Sequence, residues 1–392
     1  MPFEFPYIEV RGSHREIGRQ IGEAARESVA ATLAYYQENY EELAGVTLAE
    51  GRVQAVAAYL PAARTFSPEL MDQLEGMAEG SGVEFDDLFL LNCGAEFTRP
   101  PDIESPAGGP DSAAAAGKTP AAGAAKTPAG SSEPAASAKT PSAEADHCTS
   151  LAIMMRGRHI VAHNEDWYSG DAANMVLVNV TMPGGRRYLS MTTAAYLPFT
   201  GMTTAGTACS SDTLYATDYR QRGVPSQFIA AGLLLCADLE SARARVAYAD
   251  RGRGTNHMLA DVHGRIWNIE TSASEWQMTE VDTWYAHTNH YVDSRMQCFE
   301  GSTSEGSRKR LARACELVRV GVQRREDPLK LAMAVMKDHA NEPMSICSHV
   351  DPDDSPAARN MTTASMIWDL DERRLHVCAG PPCENERRSY QL

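Results

Sequence analysis

The sequence predicts an α+β protein in which antiparallel sheet is covered by helices. Three observations carry this: helical periodicity through the first hundred residues, a low-complexity break after it, and then strand runs paired across short glycine turns.

In residues 14–40, Ile17, Ile21, Ala24, Ala25, Val29, Leu33 and Tyr36 recur at helical spacing between charged residues, so one long amphipathic helix is expected. Further helices are expected over 48–66, 68–78 and 86–97. Between Pro100 and Asp146 the composition collapses to Ala, Pro, Gly, Ser and Thr, with Lys-Thr-Pro at 118–120, 126–128 and 139–141. Such a stretch has too little apolar surface to offset its ordering entropy and reads as a flexible tether.

Strand runs at 149–155 and 159–163 then flank Arg156-Gly157-Arg158. Pairs at 175–182 and 187–193, and at 258–262 and 265–270, surround Pro183-Gly184-Gly185 and His263-Gly264. Helices return at 225–248, 307–320 and 328–339, and a last hairpin spans 362–377. The organisation read from this is a mainly helical segment 1–99, a tether 100–147 and a catalytic segment 148–392.

A formal charge of −16 opposes binding to nucleic acid, whose affinity comes from basic residues displacing counterions. No leader pattern opens the chain and no apolar run of membrane-spanning length occurs, so a cytoplasmic protein without a membrane partner is expected. The nine cysteines lack paired spacing, which suits a reducing compartment.

His147-Cys148-Thr149 stands where the tether ends and the first strand begins. A cut before Cys148 would give it its own α-amino group, and an N-terminal amine with a pKa of about 7.7–8.0 can take the thiol proton near neutrality. His147 and Cys148 are therefore the expected cleavage site and Cys148 the expected nucleophile. Across the hairpin comes His163-Asn164-Glu165-Asp166-Trp167. Asp166 is expected to orient the amino group, and Asn164 to fix backbone or donate to developing charge. In His287-Thr288-Asn289-His290, Asn289 offers an amide to an oxyanion. His163, Thr149 and His349 are assigned to substrate contact.

Together these pieces resemble the acyl-coenzyme A:6-aminopenicillanate acyltransferase (isopenicillin N acyltransferase) family of N-terminal-nucleophile hydrolases. The resemblance rests on Arg15-Glu16-Ile17-Gly18 with Gly22, Leu91-Asn92 with Glu96-Phe97, Cys148-Thr149 and Asn164-x-Asp166-Trp167. It continues through Ala205-Gly206, Gly223-Val224-Pro225, His287 to His290 and Ser345-Ile346-Cys347. It implies a four-layer αββα sandwich, self-cleavage before Cys148 and two chains that stay associated. It also implies Cys148 as nucleophile, Asp166 as supporting carboxylate and Asn289 as oxyanion donor. The family pattern has glycine before the nucleophile and arginine after Ser-Ile-Cys, where this chain has His147 and Ser348.

The expected activity is cleavage of an N-acylated small amine or amino acid through a cysteine thioester, with acyl transfer to an amine as the alternative. No cofactor is expected, and a homo-oligomer is compatible with the sequence. Two readings from other classes compete: a noncatalytic scaffold on the same fold, and a zinc-binding protein using His287, His290, Cys347 and His349.

Overall fold

The computed structural model describes residues 5–97, 148–301 and 305–392. The tether and His147 lie outside the described residues. A short strand β1 (Tyr7–Arg11) opens the chain, followed by helices α1 (His14–Ala24), α2 (Arg26–Ala44), α3 (Leu48–Phe66), α4 (Pro68–Ser81), α5 (Phe85–Leu91) and α6 (Gly94–Phe97). Beyond the tether come β2 (Thr149–Met155), β3 (Arg158–Tyr168), β4 (Met175–Thr181), β5 (Arg187–Thr193), β6 (Gly201–Thr203) and β7 (Thr207–Thr213). Helices α7 (Ser226–Leu233) and α8 (Leu239–Val246) lead to β8 (Thr255–Asp261), β9 (Ile266–Thr271), β10 (Trp276–Glu280) and β11 (Trp284–His287). The chain closes with α9 (Glu305–Gln323), α10 (Pro328–Met336), β12 (Asn360–Asp369), β13 (Arg374–Ala379) and β14 (Arg388–Gln391).

The strands form an eight-stranded sheet, β1-β4-β5-β6-β7-β8-β9-β10, and a six-stranded sheet, β11-β2-β3-β12-β13-β14. One buried cluster lies between them, with Leu177, Met191 and Met258 of the first sheet against Ala152, Val161, Met366 and Trp368 of the second. A second cluster packs α1 to α5, α7 and α8 on the outer face of the eight-stranded sheet, and a third packs α9 and α10 on the outer face of the six-stranded one. The central strands thus send alternate side chains into two different apolar layers, which is why β2, β3 and β12 are buried on both sides. The result is the αββα sandwich.

Three expected helices are divided. The 14–40 pattern breaks at Ala25, whose φ of −107° and ψ of 19° leave helical geometry. Neither glycine nor proline marks the break; it separates a helix held on α4 from one that carries Tyr36 to Asp171. The 225–248 run breaks before Asp238, which caps α8 through Ser241. The 86–97 run breaks at Asn92, whose side chain accepts from Leu197 N and donates to Leu88 O and Ala195 O. Strands β1, β6, β7, β10 and β14 add to the expected set, and β1 pairs with β4 in parallel.

Helix α1 starts at a capping box in which Ser13 and Glu16 satisfy each other's backbone N–H groups. It then crosses α4 at backbone contact: a Cβ on Gly18 would stand 1.8 Å from Gln73 O, and one on Gly76 2.0 Å from Arg15 O. Gly18→Ala must push the helices apart and is expected to cost about 1–3 kcal/mol, the range for overpacking. A denaturation midpoint unchanged from wild type would contradict this.

Candidate active site

The inward faces of the central strands change character along their length. From Ala152 the face of β2 runs to Ser150 and Cys148, that of β3 from Val161 to His163 and Glu165, and that of β7 from Ala208 to Ser210 and Asp212. On β9, Ile266 gives way to Asn268 and Glu270. The space between the sheets is therefore apolar at one end and polar at the other, and Cys148 sits at the polar end.

The register follows from the turn. Arg156 and Gly157 have φ of 59° and 72°, as a two-residue type I′ hairpin requires. Met155 pairs with Arg158 and Thr149 with Asn164, which carries Cys148 opposite Glu165. Cys148 Sγ stands 3.8 Å from Glu165 Oε1. The other carboxylate oxygen, Oε2, is 3.0 Å from His163 Nε2. His163 Nδ1 is 2.9 Å from Ser150 Oγ, and that hydroxyl donates to Asp212 Oδ1 at 3.0 Å.

Ser150 has one proton to give, so its oxygen accepts from His163 Nδ1, while Nε2 donates to Glu165. Both ring nitrogens then face oxygen acceptors, an arrangement that favours the imidazolium. Burial pushes its pKa down, but Glu165 and Asp212 outweigh burial and the net direction is up. Asp212 also accepts from Asn256 Nδ2 at 2.9 Å and faces His287 Nδ1 at 3.5 Å. The far nitrogen of His287 is 2.9 Å from Glu270 Oε1. Burial lowers the His287 pKa, yet the flanking Asp212 and Glu270 raise it to about 9.

A group raised from its ordinary 6.5 stabilises the fold fully below that value, and the contribution is lost as pH rises through about 9. Asp166 and Asp171, both raised to about 7 by burial, lose stability in the same direction at lower pH. The wild-type unfolding temperature is expected to fall as pH rises from neutral through 9, and His287→Gln to flatten that decline. Parallel wild-type and variant curves would refute the ion pair.

Beside Cys148 and Glu165 opens a narrow cleft of about 90 Å³. Met175, Met191, Phe199, Tyr196, Trp167 and Ala230 supply an apolar wall, and Asp212, Thr213 and Ser211 a polar margin. Tyr36 on α2 braces that wall, accepting from Trp167 Nε1 and bonding Tyr196 Oη, both at 2.9 Å.

The structure distributes the sequence-selected residues over two faces of the six-stranded sheet. Cys148 lines the cleft; His163 lies on the same face, one step deeper in the polar network. Thr149, Asn164 and Asp166 leave the strands on the opposite face, toward α9 and α10. Thr149 is wholly buried, and Asn164 Nδ2 donates to Met336 O and Ile346 O. Asp166 Oδ1 accepts from Thr362 Oγ1 at 2.6 Å, and its buried Oδ2 has no hydrogen-bond partner among the described residues. Arg310 of α9 lowers the Asp166 pKa against the effect of burial and donates to Asn289 Oδ1 at 2.7 Å. Asn289 Nδ2 donates to Thr213 O at the cleft margin.

Sequence reading overlooked Glu165, Ser150, Asp212 and Arg310. It also grouped His287 and His290 with Cys347 and His349, whereas His287 joins Asp212 and Glu270, and His290 bonds Ser307 Oγ at 2.7 Å. Cys347 and His349 instead gather with His339 and Cys383, well apart in sequence.

The pattern of the acyl-coenzyme A:6-aminopenicillanic acid acyl-transferase family matches residues 154–384, beginning within β2 just after Cys148. No curated protein sequence matches the chain. Among solved structures, a variant of the conjugated bile acid hydrolase from Clostridium perfringens is 12% identical with a TM-score of 0.43, over 62% of this chain and 97% of that one. Penicillin V acylase from Agrobacterium tumefaciens is 14% identical with a TM-score of 0.41, over 59% of this chain and 82% of its own.

Proposed function

Because the chain belongs to the acyl-coenzyme A:6-aminopenicillanic acid acyl-transferase family, we propose that it is a self-processing cysteine amidohydrolase acting on an N-acylated small amine or amino acid. The observation that carries this is the place of Cys148: directly before β2, beside a carboxylate, at a cleft with an apolar wall. The apolar wall takes the acyl group. Cys148 Sγ attacks the amide carbonyl carbon, the C–N bond breaks, and the departing amine takes a proton from the α-ammonium of Cys148. A thioester remains. Water then adds to it and releases the acid, restoring the thiol.

Asn289 is the side-chain amide assigned to the oxyanion, and the unsatisfied oxygen of Asp166 is assigned to the α-amino nitrogen rather than to sulfur. Transfer of the acyl group to an amine in place of water is the second reading, favoured by the family's activity. After cleavage the two chains are expected to stay together, since β1 is paired along β4 and the 5–97 segment shares its core with the eight-stranded sheet. We place the protein in a reducing compartment, the cytoplasm. None of the nine cysteines, all among the described residues, is disulfide-bonded, and no helix of those residues is long and apolar enough to cross a membrane.

Incubating the processed protein with N-acyl amino acids of increasing acyl length, with and without an acceptor amine, tests the reading. Expected are acid release and, on rapid quenching, an acyl adduct mapped by mass spectrometry to Cys148. Processed protein that turns over none of the panel and forms no adduct would overturn it.

A further inference from the structure

We propose that His339, Cys347, His349 and Cys383 form a structural zinc site on the outer side of the six-stranded sheet, separate from the cleft. Their ligand atoms all lie within 4.8 Å of one another. The two sulfurs are 3.7 Å apart, and the two histidine Nε2 atoms 3.1 Å. His349 Nε2 is 3.9 Å from Cys347 Sγ and 3.3 Å from Cys383 Sγ.

These four separations lie within about 0.3 Å of the edges of a tetrahedron around zinc. Bonds of about 2.3 Å to sulfur and 2.0–2.1 Å to nitrogen give edges of about 3.8 Å for S–S, 3.6 Å for S–N and 3.4 Å for N–N. Hydrogen bonds among four such groups satisfy pairs, whereas here all four converge on one centre, which is what a shared cation requires. Two thiolates with two imidazoles select zinc among the common divalent ions, and four protein ligands leave no open position for chemistry.

The surroundings support the same assignment. His349 Nδ1, the nitrogen turned away from the cluster, is 3.6 Å from Glu384 Oε1, so a carboxylate lies within ion-pair reach on the outer side of the imidazole. Cys347 is buried while Cys383 is exposed, so the ion has a route in from solvent. Cys347 N donates to Asp338 O, and Asp338 is held by Arg313 at 2.8 Å. On binding, the two thiols release their protons to solvent and no redox change occurs.

Such an ion would pin the 339–349 loop to the turn that holds Cys383. That loop underpins β3: Ile346 O accepts from Asn164, and Ser348 N donates to Thr362 Oγ1, which in turn donates to Asp166. The zinc therefore acts as a staple behind the site, not as a reactant within it.

Metal analysis by inductively coupled plasma mass spectrometry on full-length protein, made without an affinity tag that binds metal, is expected to find about one zinc per chain. Cys383→Ser, at an exposed position, is expected to lower zinc affinity at least about tenfold. Metal-free wild type titrated with Co²⁺ is expected to show the visible bands and sulfur charge transfer of a tetrahedral thiolate site. Zinc-free wild type that gives no such cobalt spectrum overturns the proposal. So does zinc retained undiminished in both Cys383→Ser and His349→Ala, or a Cys347–Cys383 disulfide in protein prepared under reducing conditions.

Discussion

Cys148→Ala is expected to leave the chain uncut at 42.6 kDa, while the wild type resolves into two fragments that meet between His147 and Cys148. The reason lies in what must move. Cleavage begins when sulfur adds to the carbonyl carbon of His147, passes the acyl group to the thiol as the C–N bond breaks, and ends when water opens the thioester. Alanine removes the atom that forms the new bond, and no other cysteine takes its place: Cys148 is the only cysteine lining the cleft. The same substitution abolishes turnover, a loss on the order of 10⁴-fold or more by comparison with other nucleophile deletions. Intact mass and denaturing electrophoresis of both proteins give the answer. A variant cut at the same bond would show that another protease does the processing, and a wild type that stays whole at neutral pH would remove self-cleavage altogether.

The place of Cys148, directly before β2, was legible because two local signals agree: composition marks where the tether stops, and alternating apolar residues mark where β2 begins. Its neighbour Glu165 was overlooked, because the turn reads as Arg156-Gly157-Arg158 and the register is set by a shorter one. A two-residue turn at Arg156-Gly157 makes paired positions sum to a constant, so Met155 with Arg158 requires Cys148 with Glu165. Asp166, one residue on, necessarily points to the other face. Asp212 and Arg310 could not be found this way. Asp212 comes from the other sheet, 62 residues beyond Ser150, and sheet-to-sheet facing leaves no local trace. Arg310 lies in Arg308-Lys309-Arg310, which reads as a solvated helix face, yet it is 1% exposed and spans Asp166 and Asn289. The αββα layering is similarly visible only in part: strand and helix runs show which elements exist, while burial on both sides of β2, β3 and β12 is what fixes two covered sheets.

The polar end between the sheets explains why a charged network is tolerated there. Glu165, Asp212 and Glu270 alternate with His163 and His287, so each buried charge has an opposite neighbour and hydrogen bonds besides. Breaking one link in such a series leaves a charge uncompensated, which typically costs about 3–5 kcal/mol. The arrangement also constrains proton movement. If the Cys148 proton passes to Glu165, negative charge moves from the carboxylate to sulfur while the His163 imidazolium stays where it is, so no additional buried charge is created.

That exchange separates processing from turnover, and Glu165→Gln is expected to expose the difference. In the intact chain the nitrogen of Cys148 is an amide, with its lone pair delocalised, and cannot serve as base. Glu165 at 3.8 Å is the carboxylate in contact with the thiol and takes its place. Glutamine keeps the shape and can still accept from His163 Nε2 through its carbonyl, but it cannot take the thiol proton. Self-cleavage should slow by about 10²–10⁴-fold, the usual contribution of a positioned base. Once cut, the α-amine performs the proton transfer, so kcat/KM of the processed fraction should fall much less. The comparison needs two rates from one preparation: disappearance of the full-length band, and substrate turnover normalised to the processed chain. Equal losses in both would mean that Glu165 acts on Cys148 throughout the cycle, and an unchanged cleavage rate would mean that the thiol proton leaves by another path.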